Sequence, residues 1–261
     1  MLGQSQAMSK ITRRKFLSIS ALAFPALLGA DAGLVEPNAL RVTKLKLNGG
    51  GKCRLVHFTD FHHKGDVRYA AEVIRTINDL DPEFVCFTGD LVEDRCFAAE
   101  ALGFIRQIKA PVYGCPGNHE YSSHVSFRDY EDAFGATGGA WLADRNLILQ
   151  QHDLEIVGMG IVGLNIVPAL PASRRLLLMH YPRVADHLGD RHFDLILAGH
   201  SHGGQVRLPF WGALIVPRGV GPYDLGYYET SGGPLYVNAG IGTYRLPWRF
   251  NCRPEITLVT L

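Results

Sequence analysis

A short apolar run that stops abruptly on a metal-binding type of side chain recurs five times in this chain. Leu55 to Thr59 stops at Asp60-Phe61-His62, and Phe84 to Thr88 stops at Gly89-Asp90. Pro111 to Cys115 leads to Gly117-Asn118-His119-Glu120, Leu176 to Met179 stops at His180, and Leu195 to Ala198 stops at Gly199-His200-Ser201-His202. The spacing predicts helices between the first of these, over Val67–Leu80 (Val67, Ala70, Ala71, Ile74 and Ile77 on one face), Phe97–Ile108 and Phe127–Phe134. Further strand-like runs are Arg41–Leu47, Asn146–Gln150, Leu154–Gly158, Gln205–Leu208, Leu235–Val237 and Ile256–Val259. Alternating strands and helices followed mostly by strands, with no linker after residue 40, predict one layered α/β domain over residues 41–261.

In α/β sheets ligands gather beyond the carboxyl ends of strands. Five such ends meeting in one crevice would collect carboxylate, amide and imidazole donors. Those donors suit zinc, iron and manganese, and the lack of a CxxC pair argues against a structural zinc or an iron–sulfur site. One bridging carboxylate can hold two cations about 3.5–4 Å apart, the arrangement that clamps a phosphoryl group. Asp90, the lone carboxylate in the middle of the series, is the natural bridge. No HExxH helix is present, which disfavours a zinc peptidase. A formal net charge of +1 with no basic stripe makes nucleic acid an unexpected partner.

Taken in order, the five blocks over residues 60–202 resemble those of the calcineurin-like metallophosphoesterases. The tail, Asn238-Ala239-Gly240 through Arg249-Phe250-Asn251-Cys252-Arg253-Pro254-Glu255, is similar to that of the exported bacterial phosphodiesterases within the family. The resemblance implies a four-layer sandwich, two packed β-sheets with helices on both outer faces. It implies that Asp60, His62 and His202 hold a first divalent metal, that Asn118, His180 and His200 hold a second, and that Asp90 bridges them. It also implies that His119 lies over the phosphate and donates a hydrogen bond or proton to the leaving oxygen. The implied activity is phosphoester hydrolysis with two divalent ions (manganese, iron or zinc), most directly on a phosphodiester of the envelope or periplasm. Alternatives are a lipid-linked phosphate or pyrophosphate at a membrane surface, and a non-catalytic metal-binding envelope protein. The segment Gly158–Arg175 departs from the pattern, since relatives carry acidic residues after the glycines and this chain has none there.

The N-terminus addresses location. Arg13-Arg14-Lys15-Phe16-Leu17 precedes an apolar run to Leu28 that is shorter than the roughly 20 residues of a membrane span. Paired arginines before Phe-Leu match a twin-arginine signal, with a small-residue cleavage site at Ala30-Asp31-Ala32. Residues 1–32 are thus expected to engage the twin-arginine export machinery, placing the mature chain outside the cytoplasm.

The remaining polar and aromatic residues have blander expectations. All five cysteines, Cys53, Cys86, Cys96, Cys115 and Cys252, read as buried small hydrophobes. His57 reads as a packed or supporting residue, His63 as a rim residue, and His124, His152, His187 and His192 as lying outside the site. Arg207, Arg218 and Arg245 are candidates for phosphate or headgroup contact, with plain solvation as the default. Phe210, Trp211, Tyr223, Tyr227, Tyr228, Tyr244, Trp248 and Phe250 read as loops over the site mouth, capping a core or facing a lipid surface.

Overall fold

The apolar runs form strands covered on both faces, which is why they alternate so little in polarity. The computed structural model describes residues 28–47, 53–161 and 167–261. Most of the signal expected at residues 1–32 lies outside the described residues, as does Gly49-Gly50-Gly51, whose three glycines suit a turn.

Two six-stranded mixed sheets form the frame. The first runs in the order β1 (Arg41–Lys46), β14 (Glu255–Thr260), β2 (Arg54–Phe58), β3 (Phe84–Phe87), β4 (Val112–Gly114) and β5 (Ala140–Trp141). The second runs β12 (Gly226–Thr230), β13 (Gly233–Val237), β9 (Leu195–Ala198), β8 (Arg174–Leu178), β7 (Leu154–Gly158) and β6 (Arg145–Leu149). A small hairpin, β10 (Arg207–Leu208) and β11 (Gly212–Ala213), stands apart from both. Strands β2 to β5 are parallel, as are β7, β8, β9 and β13, so each sheet presents several carboxyl ends along one edge.

Side chains divide by the period of two that a strand imposes. Leu55, Phe84, Cys86 and Tyr113 meet Ile156, Leu176, Leu178, Leu195 and Leu197 between the sheets. Their neighbours Val56, Phe58, Val85, Phe87 and Val112 lie in a separate cluster with residues of α1 (Val67–Asp79), α2 (Ala98–Ile105) and α4 (Phe127–Gly135). Asp66 caps α1 by accepting the Tyr69 N–H at 3.0 Å, and Ala70, Val73, Ile74 and Ile77 are its buried stripe. On the other side Leu177, Met179, Ile196 and Ala198 pack with Ala185 of the 3-10 helix Pro182–His187, and with Phe193. Pro182 and Gly189 bracket this connection and keep it to a short 3-10 helix. The fold is the expected α/β sandwich, with its fourth layer thin.

Two local expectations change, and the segment ahead of β1 takes a defined place. Tyr227 and Tyr228 lie on strand β12, paired with β13, where Tyr228 packs on the outer cluster. Cys96 is exposed, because the turn Arg95–Phe97 lifts it off the core; the other four cysteines are buried and all five are free thiols. The segment ahead of β1 is laid along the C-terminal loop: buried Glu36 accepts the N–H groups of Asn251 (2.8 Å) and Cys252, and Ala32 O accepts the Arg249 N–H at 2.9 Å.

His57 is fully buried on β2 with Nε2 2.9 Å from Thr88 Oγ1, and burial holds its pKa down to about 3. The unfolded ring, with its ordinary pKa of 6.5, takes up a proton that the folded ring refuses. Its contribution to stability therefore falls as pH drops from about 6.5 toward 3. Between pH 7.5 and 5, urea unfolding of the chelated His57→Gln variant is expected to show about 2 kcal/mol less acid loss than the parent. An equal loss in both proteins would show that this ring is not an acid-sensitive group.

Candidate metal centre

Every block singled out in the sequence arrives at the same edge. Asp60 and His62 follow β2, Asp90 follows β3, and Asn118 opens the short helix α3 (Asn118–Ser122) after β4. His180 follows β8, and His200 and His202 follow β9. To turn back into the crevice, Asp60, His62, Asp90, His200 and His202 adopt left-handed backbone with φ of 51°, 45°, 61°, 67° and 50°. Non-glycine residues held there cost about 1 kcal/mol or more each, a strain that concentrates at functional sites. Two glycines make the approach possible. A Cβ on Gly199 would strike the side chains of Thr59 and Asp60, and one on Gly117 would strike the Asp90 carboxylate and lie 2.8 Å from the His180 ring.

Two groups of donors result. In one, Asp60, His62 and His202 bring ligand atoms within 4.8 Å of one another; in the other, Asp90, His180 and His200 do so. All six are buried. Asp90 Oδ2 joins the groups, 3.4 Å from His62 Nε2 and 3.3 Å from His180 Nε2. Asn118 Oδ1 lies 3.1 Å from His180 Nε2, which completes the second set.

The outer nitrogens of three rings are already engaged. His62 Nδ1 is 2.8 Å from Glu93 Oε2, His180 Nδ1 donates to Thr88 O at 2.7 Å, and His200 Nε2 donates to Arg218 O at 2.7 Å. Such partners orient ligating histidines and leave the inner nitrogen as the donor. The inner atoms are poorly served by protein alone. Asp90 Oδ2, Asn118 Oδ1 and His200 Nδ1 (3.3, 3.1 and 3.1 Å) all converge on His180 Nε2, where one proton can satisfy only one of them. His62 Nε2 is buried with no hydrogen-bond partner among the described residues, facing Asp90. A cation between these atoms would satisfy them together, so the residues fit a pair of divalent metals.

Electrostatics agree. Burial alone would lower His180, yet the carboxylates of Asp90 and Asp60 beside it raise its pKa to about 9. Burial alone would raise Asp90, yet the His180 and His62 rings hold it well below the usual carboxylate range. Burial and the neighbouring His180 push His200 down to about 3, and burial and His62 push His202 well below its ordinary value. The pocket thus favours positive charge near Asp90 while keeping two imidazoles neutral, as ligation requires.

His119 sits at the lip of the crevice. Its backbone N–H donates to Asp90 Oδ1 at 2.8 Å, its ring meets His62 edge-on at 4.5 Å, and its Nδ1 is 4.0 Å from Glu93 Oε2. Tyr244 stands over the same edge, its ring 6.0 Å from His202 and 6.1 Å from His119.

The Calcineurin-like phosphoesterase family model matches residues 53–204. The chain belongs to the calcineurin-like phosphoesterases. Its relatives in that family include the metallophosphoesterase YkuE of Bacillus subtilis, 31% identical over 97% of this chain and 99% of that one. The phosphodiesterase YaeI of Escherichia coli is 27% identical over 96% and 99% of the two chains. The UDP-2,3-diacylglucosamine pyrophosphatase LpxG of Chlamydia trachomatis is 27% identical over 91% and 94%. A calcineurin-like phosphoesterase is a metal-dependent phosphoester hydrolase, and the clustered Asp and His residues here suit its metals.

Several supports of this phosphoesterase site escaped the sequence reading. Glu93, a few residues past Asp90, has no periodic signature, yet it orients His62 and reaches toward His119. Tyr181 packs on His200 at 4.4 Å, and its hydroxyl donates to Asn118 Oδ1 at 3.4 Å. Arg249 is fully buried and donates to the carbonyls of Ala239 (2.9 Å), Gly240 (3.0 Å), Gly242 (2.5 Å) and Cys252 (3.0 Å). It thereby fixes the loop whose Gly242 N–H donates to Asp60 O at 2.7 Å. His63 is not on the rim: it is buried and hydrogen-bonded to Glu100. His124 is exposed past α3, and Arg207 is tied to Asp224 (2.8 Å) and Gly203 O (2.7 Å), away from a phosphate role. A third group, Cys53, Glu83 and His152, lies at the amino ends of the strands, where burial raises the Cys53 thiol to about 11 and disfavours a thiolate.

Glu120, whose sequence position suits either a helix-start acidic residue or one that orients its neighbourhood, is buried and accepts the N–H groups of Asp90 (2.8 Å), Leu91 (2.8 Å) and Gly117 (2.6 Å). It splints the Asp90 turn to the Asn118 turn. Glu120→Ala would orphan three buried donors, each worth about 1–3 kcal/mol. Urea unfolding is expected to show a loss of at least about 3 kcal/mol; a change below about 1 kcal/mol would show that water replaces the carboxylate there.

Proposed function

We propose that this chain hydrolyses phosphodiesters in the periplasm or cell envelope, after export by the twin-arginine route. The observation that carries the catalytic part is the shared Asp90 carboxylate, whose Oδ2 faces His62 of one donor group and His180 of the other at 3.4 and 3.3 Å. Asp60, His62 and His202 would hold one divalent ion and Asn118, His180 and His200 the other, with Asp90 between them. When bound, such ions supply Lewis acidity for the phosphoryl oxygens and make a water acidic enough to react near neutral pH.

The protein's own residues do the rest. Glu93, Thr88 O and Arg218 O hold the inward-facing nitrogens of His62, His180 and His200 in line. His119, tied to Asp90 through its backbone, places its ring where a leaving oxygen would need a donor. The diester preference is supported by the name of the phosphodiesterase relative. A second reading, a lipid-linked phosphate or pyrophosphate, is favoured by exposed apolar side chains beside the site, Phe210, Trp211 and Ile215 among them. The export part rests on Arg13-Arg14 and the apolar run behind them.

The test is hydrolysis of bis-p-nitrophenyl phosphate against p-nitrophenyl phosphate by manganese-loaded protein. The diester is expected to be preferred, with activity lost on chelation and restored by manganese. Preference for the monoester would overturn the diester reading. For export, paired Arg13→Lys and Arg14→Lys substitutions are expected to trap the chain in the cytoplasm; unchanged fractionation would remove the twin-arginine route.

A further inference from the structure

The segment between His202 and Arg218 carries large apolar side chains that stand exposed among the described residues. Phe210 is 110% exposed, Trp211 85%, Ile215 82% and Leu214 53%. The hairpin of β10 and β11 lifts them together, closing through Trp211 N–H to Leu208 O at 3.2 Å and Leu214 N–H to Val206 O at 3.1 Å. Four such residues on one short hairpin are far from the scattered single apolar residues of an ordinary surface.

Both roots of this hairpin are fastened to the metal centre. It begins at the ligand His202 and returns to Arg218, whose carbonyl accepts from the ligand His200 at 2.7 Å. Gln205 clamps it to the neighbouring loop, donating to Leu246 O (3.1 Å) and Trp248 O (3.2 Å) while accepting the Tyr244 N–H at 2.5 Å. That loop exposes Leu246 at 58% and Trp248 at 52%. Arg218, three residues past Ile215, and Arg245, next to Leu246 and stacked on the Tyr244 ring, are exposed as well.

The N-terminal part of the chain reaches the same face. Leu28, the first described residue and the end of the apolar run that starts at Leu17, lines an apolar cavity of about 240 Å³ with Gly29, Ala32, Val206, Trp248 and Phe250. Leu28 therefore lies beside Val206, at the hairpin's base.

We propose that this face docks on a lipid bilayer, with Phe210 and Trp211 entering the interface and the metal centre held against lipid headgroups. The inference rests on the reading of this chain as a phosphoesterase of the envelope, and narrows it to substrates carried by the membrane. Aromatic side chains suit the bilayer interface, and arginines suit anionic headgroups.

The test uses the full chain and vesicles of phosphatidylethanolamine with phosphatidylglycerol. The Phe210→Ser/Trp211→Ser variant is expected to bind them about a hundredfold more weakly than the parent, from the lost burial of two aromatic side chains. Its hydrolysis of soluble bis-p-nitrophenyl phosphate should be unchanged. Vesicles with brominated acyl chains should quench the parent's tryptophan emission, and Trp211→Phe should weaken that quenching, with Trp248 on the neighbouring loop keeping the remainder, while vesicle binding persists. Equal vesicle binding by parent and double variant overturns the proposal. So does a parent dimer in sedimentation that the double variant abolishes, because a second copy would then cover the patch. Hairpin-dependent binding by a parent inactive on every phosphoester would instead leave docking intact and remove the catalytic reading.

Discussion

Replacing Asp90 by Asn is expected to lower kcat/KM for bis-p-nitrophenyl phosphate by at least about a thousandfold, roughly 4 kcal/mol of transition-state stabilisation. The substitution keeps the shape and removes the charge. Asp90 faces both donor groups through Oδ2 and accepts the His119 N–H through Oδ1 at 2.8 Å, so all three parts of the centre depend on it. An amide can present only one oxygen and no negative charge to two cations. Bound metal, counted by elemental analysis, should fall by at least one ion per chain. The turn itself should survive, since Glu120 continues to hold the backbone N–H groups of residue 90 and Leu91. Activity within about tenfold of the parent, with both metals retained, would show that Asp90 is not the bridge.

His119→Ala is expected to cost about 10²- to 10⁴-fold, the usual range for a positioned proton donor, with a particular dependence on substrate. p-Nitrophenolate departs without a proton, so the loss there should sit at the low end of that range. An alkyl diester, whose alkoxide needs one, should suffer far more. His119 is only partly buried, and burial still lowers its pKa, while Asp90 and Glu93 pull it back up. The neutral ring retains an N–H to give, so the role does not require a permanently charged histidine. Metal content should not change, because the six ligand atoms of the two donor groups and Asn118 are untouched. Equal losses on the two leaving groups would point to phosphate positioning in place of leaving-group assistance.

Much of this site could be read before any fold was known, because the relevant signals are local. A strand buried on both faces needs an unbroken apolar run, and a ligand at its carboxyl end must follow within a few residues. Asp60, His62, Asp90, Asn118, His180, His200 and His202 were therefore visible in order, and the structure brings all seven to one crevice. What tertiary structure alone decided is what stands behind them. Arg218 supports His200 through a carbonyl, a group every residue possesses and no sequence can single out. Glu120 serves donors about thirty residues away along the chain, so its helix-start position said nothing of its burial. The left-handed turns at five of these donor residues arise because distant contacts hold them, not because of any glycine at those positions. The aromatic segment shows the same limit. Tyr228 and Phe210 sit eighteen residues apart in similar composition, yet one packs on the outer face of a sheet and the other is fully exposed among the described residues. Composition sets how much apolar surface a chain carries; only the packed fold decides which of it is left uncovered.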